Sequence, residues 1–91
     1  MVHVVISYDI SDDRKRIKVA NVLEDYGKRV QYSVFECQVD AKTLETLIAQ
    51  LEPFVEGSDS IRIYQICETC LKKAVLLGKG ELTKEVKFHV V

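Results

Sequence analysis

The period of the hydrophobic pattern changes repeatedly along the chain, and this constrains the fold more than any other feature. Val2 to Ile6 is an apolar run that reads as a buried strand, continuing to Tyr8. Arg16, Val19, Ala20, Leu23 and Gly27 then share one face at helical spacing. Arg29 to Val39 returns to a β-rich pattern, with Val30, Tyr32, Val34, Phe35 and Val39 separated by polar residues. The alternation breaks at the adjacent pair Val34-Phe35, which predicts a bulge or a change of strand near Ser33. Leu44, Leu47, Ile48 and Leu51 form a second helical stripe, and Ile61, Ile63 and Ile66 with Arg62 and Gln65 form another strand.

Punctuation residues agree with these segments. Ser11 is placed to cap the first helix, Asp12 and Asp13 suit its positive end, and Gly27 is placed to stop it. Asp40 is placed to cap the second helix and Pro53 to end it, before a loop at 56–60. Strand, helix, strand pair, helix, strand predicts an α+β, ferredoxin-like βαββαβ sandwich over residues 1–78, with both helices on one sheet face. The other face is left open. Ninety-one residues bury only a small core, so dimerisation through that face is expected. Residues 79–91 read as an extra C-terminal strand, with Val86, Phe88 and Val90 on one side and Lys87 and His89 on the other. It is surplus to the basic fold and suits docking on a partner subunit's sheet edge.

With 47% apolar and 30% charged residues and one Pro, the composition is that of an ordinary globular domain. No apolar run reaches the roughly 18 residues of a membrane span, and no signal-peptide pattern opens the chain. A cytoplasmic protein without membrane contact is expected. A formal net charge of −1 excludes a generally basic nucleic-acid binder. The cations are clustered, however: Arg14, Lys15, Arg16 and Lys18, then Lys28 and Arg29. Such a patch is either a phosphate track or a solvated helix face. The odd number of cysteines, three, argues against a disulfide framework. Cys67 and Cys70 form a lone CxxC whose spare zinc partners, Cys37, His3 and His89, are not brought together by the pattern. A thioredoxin-like CxxC should follow a strand and open a helix; here the residues after it read as β-like.

Two side chains stand apart. Asp9 lies where the first strand ends and a turn begins. A carboxylate there serves as a metal ligand or acid/base group, or simply starts the turn by bonding its own backbone. Arg16 lies on the buried-side face of its helix near the same strand end, whereas Arg14 and Lys18 point outward.

Three segments carry a resemblance: Tyr8-Asp9-Ile10-Ser11-Asp12-Asp13 after an apolar strand and before a basic helix; Gly27-Lys28-Arg29-Val30-Gln31-Tyr32-Ser33-Val34-Phe35-Glu36-Cys37; and Asp59-Ser60-Ile61-Arg62-Ile63-Tyr64. In this order they resemble the CRISPR-associated protein 2 family, the small endonuclease-type subunit of the spacer-acquisition machinery. The resemblance implies a ferredoxin-like homodimer whose C-terminal strand crosses to its partner. It implies Asp9 as a ligand of a divalent cation, Mg²⁺ or another, near the dimer axis. Arg16, Arg29 and Phe35 match positions tied to activity. Lys18 stands where some members have Arg, and loses the planar fork that grips phosphate bidentately.

One carboxylate per chain is a thin metal site, so any catalysis is expected of the dimer, where two copies of Asp9 meet. Arg16 or Arg29 would then stabilise charge on phosphate. Phe35 would stack on a base or shape the site, but the Val34-Phe35 adjacency favours sheet core or dimer interface. The function implied is a metal-dependent endonuclease, acting on single-stranded RNA or double-stranded DNA, that takes part in integrating new spacers. The alternatives are a non-catalytic scaffold holding double-stranded DNA between dimers of the CRISPR-associated integrase subunit, or a stand-alone toxin-type ribonuclease. For backbone binding the candidates are Arg14, Arg16, Lys18, Lys28 and Arg29.

Overall fold

The computed structural model describes residues 1–78. Strand β1 (Val2–Asp9) leads into helix α1 (Asp13–Glu24), the hairpin β2 (Gly27–Gln31) and β3 (Val34–Val39), and helix α2 (Ala41–Leu51). A 3₁₀ turn (Glu52–Phe54), strand β4 (Ser60–Ile66) and helix α3 (Glu68–Lys72) follow. The sheet is antiparallel in the order β2-β3-β1-β4, which is the ferredoxin-like arrangement expected from the periodicity. The expected terminal strand at 86–90 lies outside the described residues.

Cross-strand partners share a sheet face. Ile6 pairs with Phe35 and Ile63, and Val4 with Cys37, so these residues face α1 and α2. The core comprises Val4, Ile6, Tyr8, Ile10, Phe35, Cys37 and Val39 from the sheet side, closed by Val19, Ala20 and Leu23 of α1 and Leu44, Leu47 and Leu51 of α2. Ile48 of the predicted stripe stays exposed at its edge. The other face carries Val5, Ser7 and Asp9 of β1, with Val34 and Glu36 on β3 and Ser60, Arg62 and Tyr64 on β4. Neither α1 nor α2 covers it.

The strand change expected at Ser33 is present: β2 ends at Gln31, β3 starts at Val34, and a bulge interrupts the pairing between Arg29 and Gln31. Asp40 caps α2 as expected, accepting from the Thr43 amide at 2.7 Å. Three expectations need correction. Asp12, not Ser11, caps α1, accepting from the Lys15 amide at 3.2 Å. Ser11 is engaged elsewhere: its amide and hydroxyl donate to Asp59 Oδ1 at 3.2 and 3.4 Å, tying the β1–α1 loop to the entry of β4. Gly27 does not stop α1 with a left-handed turn; only Gly57 and Gly78 have positive φ among the described residues. Gly27 opens β2, where a Cβ would come within 3.0 Å of the Glu36 carbonyl oxygen and of Cys37. It is needed for close strand approach, not for turn freedom. Finally, the residues after Cys67 do not turn β-like: Cys67 follows β4 directly and caps α3.

Candidate nucleic-acid interface

The pleat decides how the candidate residues are grouped. Tyr8 and Asp9 are neighbours in sequence, but successive side chains on a strand point to opposite faces. Tyr8 turns under α1 and is buried, whereas Asp9 is exposed on the open face opposite Ser60. The reading that placed Arg16 near the strand end carrying Asp9 is correct along the chain. Across the sheet the two are separated: Arg16 lies on the helix side and its guanidinium donates to the Ile10 carbonyl at 3.1 Å.

On the helix side, Arg16 and Arg29 meet. They line a cleft of about 370 Å³ between α1 and the β2–β3 hairpin, together with Tyr8, Asp13, Glu24 and Tyr32. The hairpin tip organises it. The Tyr32 carbonyl accepts from Arg29 Nη1 at 3.1 Å and from the Tyr8 hydroxyl at 3.5 Å. The Tyr8 amide donates to the Ser33 carbonyl at 3.1 Å, which holds the tip against the end of β1. Arg16 pairs with Asp13 one turn away, and this bond raises an already high guanidinium pKa further. Burial pushes the Tyr8 hydroxyl above its ordinary value, partly opposed by Arg29. Tyr8 is therefore a neutral donor at physiological pH.

Phe35 belongs to the core, as its adjacency to Val34 favoured. It is fully buried beneath this cleft, so a base cannot stack on it in this chain. The Arg29 guanidinium lies 5.3 Å from its ring centroid, a cation–π arrangement, and the Tyr8 ring lies 6.3 Å away. Its part is to hold Arg29 and Tyr8 in place. Of the remaining cations, Arg14 and Lys18 are exposed on α1, one turn apart. Lys28 is exposed opposite Glu36, on the face that also carries Asp9, so it departs from the Arg16–Arg29 group. Lys15 is engaged by Glu56 at 2.7 Å.

Among the described residues no group of three or more His, Cys, Asp and Glu is placed to hold a metal. Asp9 offers a single exposed carboxylate, which with waters and phosphate oxygens is a minimal Mg²⁺ environment. Of the spare zinc partners of the CxxC, Cys37 and His3 do not assemble with it, and His89 lies outside the described residues. Cys37 is buried on the helix side, where burial pushes its thiol up to about 11, and His3 is buried on the other face with Nε2 3.3 Å from Glu36 Oε1.

Sequence reasoning assigned no role to Tyr32 or Tyr8, two cleft residues, and read a third, Asp13, as suiting the positive end of α1. Tyr32 passed for an alternating strand residue, although it sits 71% exposed in the hairpin turn. Its place between a cationic strand and the Ser33 break was the available signal.

Comparison with known proteins draws these features together. A relative from Chloroflexus aurantiacus, named CRISPR-associated endoribonuclease Cas2 3, is 43% identical over 96% of this chain and 95% of its own. The crystal structure of a hypothetical protein from Thermus thermophilus superposes with a TM-score of 0.76 at 39% identity, over 89% of this chain and 95% of that one. A chain of a partial Cas6-RT-Cas1–Cas2 complex superposes with a TM-score of 0.65 at 32% identity, over 85% of this chain and 91% of that one. The family model described as CRISPR associated protein Cas2 matches residues 1–74. The strand-end Asp9, the basic helix behind it and the hairpin that carries Arg29 over Phe35 thus stand in a chain that belongs to the Cas2 family.

Proposed function

We propose that this chain acts as a homodimeric, divalent-metal-dependent endonuclease of CRISPR spacer acquisition. Its Arg16–Arg29 cleft and the exposed Arg14 and Lys18 bind nucleic-acid backbone, and two Asp9 carboxylates, one from each copy, hold the cation. The observation that carries this reading is the position of Asp9. It is exposed at the end of β1, on the sheet face that α1 and α2 leave open, and among the described residues no group of three or more His, Cys, Asp and Glu is placed to hold a metal. A second copy meeting that face would add a second Asp9 carboxylate. Mg²⁺ bound there would polarise the scissile phosphodiester and acidify a bound water. The chain's own contribution is positioning: Arg16 and Arg29 grip phosphate, Tyr32 and Phe35 hold Arg29, and the pleat holds Asp9. The name of the Chloroflexus relative supports RNA as one substrate, and the Cas1–Cas2 assembly supports an integrase-type partner.

A second reading has its own support. Asp9 and the two arginines lie on opposite faces of one sheet. Within one chain they therefore do not converge on a single phosphate, which favours a scaffold that binds duplex DNA without cutting it. The test is cleavage of single-stranded RNA and duplex DNA by wild type and Asp9→Ala, each with Mg²⁺ and with EDTA, alongside spacer acquisition in cells. Mg²⁺-dependent cutting lost in the variant is the expected result. Equal cutting by both proteins, or none by either, removes Asp9 catalysis; acquisition intact in the variant then leaves the scaffold. Charge reversal at Arg14 and Arg16 is expected to weaken duplex binding with a reduced salt dependence. Binding unchanged by that reversal would discard the phosphate track.

A further inference from the structure

The CxxC plays no part in the cleft or at Asp9, yet its two cysteines are already in contact. Cys67 leaves β4 and caps α3, so that Cys70 stands one helical turn on. The Cys70 amide donates to Cys67 Sγ at 3.3 Å, which holds the Cys67 sulfur against the residue that carries the second thiol. Both side chains are exposed, whereas the third cysteine, Cys37, is buried in the core. A small disulfide in solution can therefore reach this pair and not Cys37.

We propose that Cys67 and Cys70 are a redox-active dithiol that closes to an intrachain disulfide by exchange with small-molecule disulfides. The order of attack follows from the hydrogen bond at Cys67. The Cys70 amide stabilises a thiolate at Cys67 and lowers its pKa, while the neighbouring Cys67 sulfur raises that of Cys70. Cys67 attacks one sulfur of the small disulfide, forming a mixed disulfide and expelling one thiolate. Cys70 then loses its proton to solvent, and its sulfur attacks Cys67 and expels the second thiolate. Two protein thiols are oxidised by two electrons, and one small disulfide is reduced to two thiols. The new bond staples the first turn of α3 at the point where the chain leaves the sheet. There Glu68 and Leu71 border a hollow floored by His3 and Ile66.

The experiment equilibrates the purified full chain with mixtures of reduced and oxidised glutathione. The samples are quenched in acid, alkylated in denaturant and weighed intact. The reduced chain has three cysteines to alkylate. The expected oxidised product is a monomer that takes one alkyl group, located at Cys37, with no glutathione attached. Cys70→Ser is expected to halt at a glutathione adduct on Cys67, and Cys67→Ser to form an adduct on Cys70 more slowly, because it lacks the sulfur that the Cys70 amide supports. Four results would overturn the proposal: no thiol loss at any glutathione ratio, a stable glutathione adduct on the wild-type chain, a disulfide-linked dimer, or thiols protected until a chelator removes zinc.

Discussion

Replacing Phe35 by Leu, with Phe35→Ala beside it, separates a core role from a nucleic-acid contact. The ring is fully buried. Truncation to Ala removes that burial and leaves a cavity, at a cost of about 3–5 kcal/mol. A domain of 91 residues has a total stability of roughly 5–14 kcal/mol, so the Ala variant is expected to lose a large share of it. Leu preserves most of the apolar volume and costs less than about 1.5 kcal/mol in packing. It also forfeits the ring beneath Arg29, worth about 0.5–1 kcal/mol more. Phe35→Leu should therefore lose about 1–2 kcal/mol and still fold. Urea denaturation followed by circular dichroism, at one protein concentration, reads this as a lower midpoint with unchanged slope. Duplex binding at fixed salt should fall no more than about threefold, because Arg29 keeps its bond to the Tyr32 carbonyl. Unchanged stability together with binding or cleavage lost more than tenfold would refute the argument. It would mean that the ring reaches nucleic acid.

Gly27→Ala places a Cβ against the Glu36 carbonyl and Cys37, backbone and core atoms that cannot both yield, so a loss of about 2 kcal/mol or more is expected in the same urea assay. Alanine at Arg16 and Arg29 together should reduce the slope of log affinity against log salt for duplex DNA by about 1–2; an unchanged slope would remove both from the phosphate contacts. Asp40→Ala removes the α2 cap and should lower the thermal midpoint at pH 7. The Thr43 hydrogen bonds depress the Asp40 pKa, so the cap's contribution is present above the unfolded carboxylate value and is lost as pH falls through the lower folded value. The wild-type and variant midpoints should accordingly converge below about pH 4, and a constant gap down to pH 2 would contradict the assignment.

Much of the fold was legible because short-range periodicity and long-range packing ask for the same thing here. The stripe of Leu44, Leu47 and Leu51 meets the sheet as its spacing requires, and the Val34-Phe35 adjacency marks the hairpin. The misreadings arose where a distant contact took a residue that local chemistry also wanted. Ser11 is a good cap by type, but Asp59, far along the chain, holds its hydroxyl and amide, and the cap passes to Asp12. Gly27 resembles a helix stop because the strand that needs its missing Cβ is not adjacent in sequence. The candidate site was legible as a set of residues and not as a geometry. Arg16 and Arg29 converge only because the hairpin folds back on α1, and the Tyr32 carbonyl that orients Arg29 has no signature in any side-chain pattern.

The alternation of β1 works as a parity code. Even-numbered Val4, Ile6 and Tyr8 belong to the core side, odd-numbered Val5, Ser7 and Asp9 to the other, and a single peptide bond separates the two allegiances. Deleting one residue between Val2 and Ile6 while the β3 and β4 registers hold would leave Tyr8 and Asp9 in place and corrupt only the strand's start. Deleting one in the Ile10–Asp12 turn would instead drag α1, and Arg16 with it, around the end of the strand. The strand thus tolerates error at its beginning and not at its end, so any length variation the chain accommodates there should be confined to its first residues.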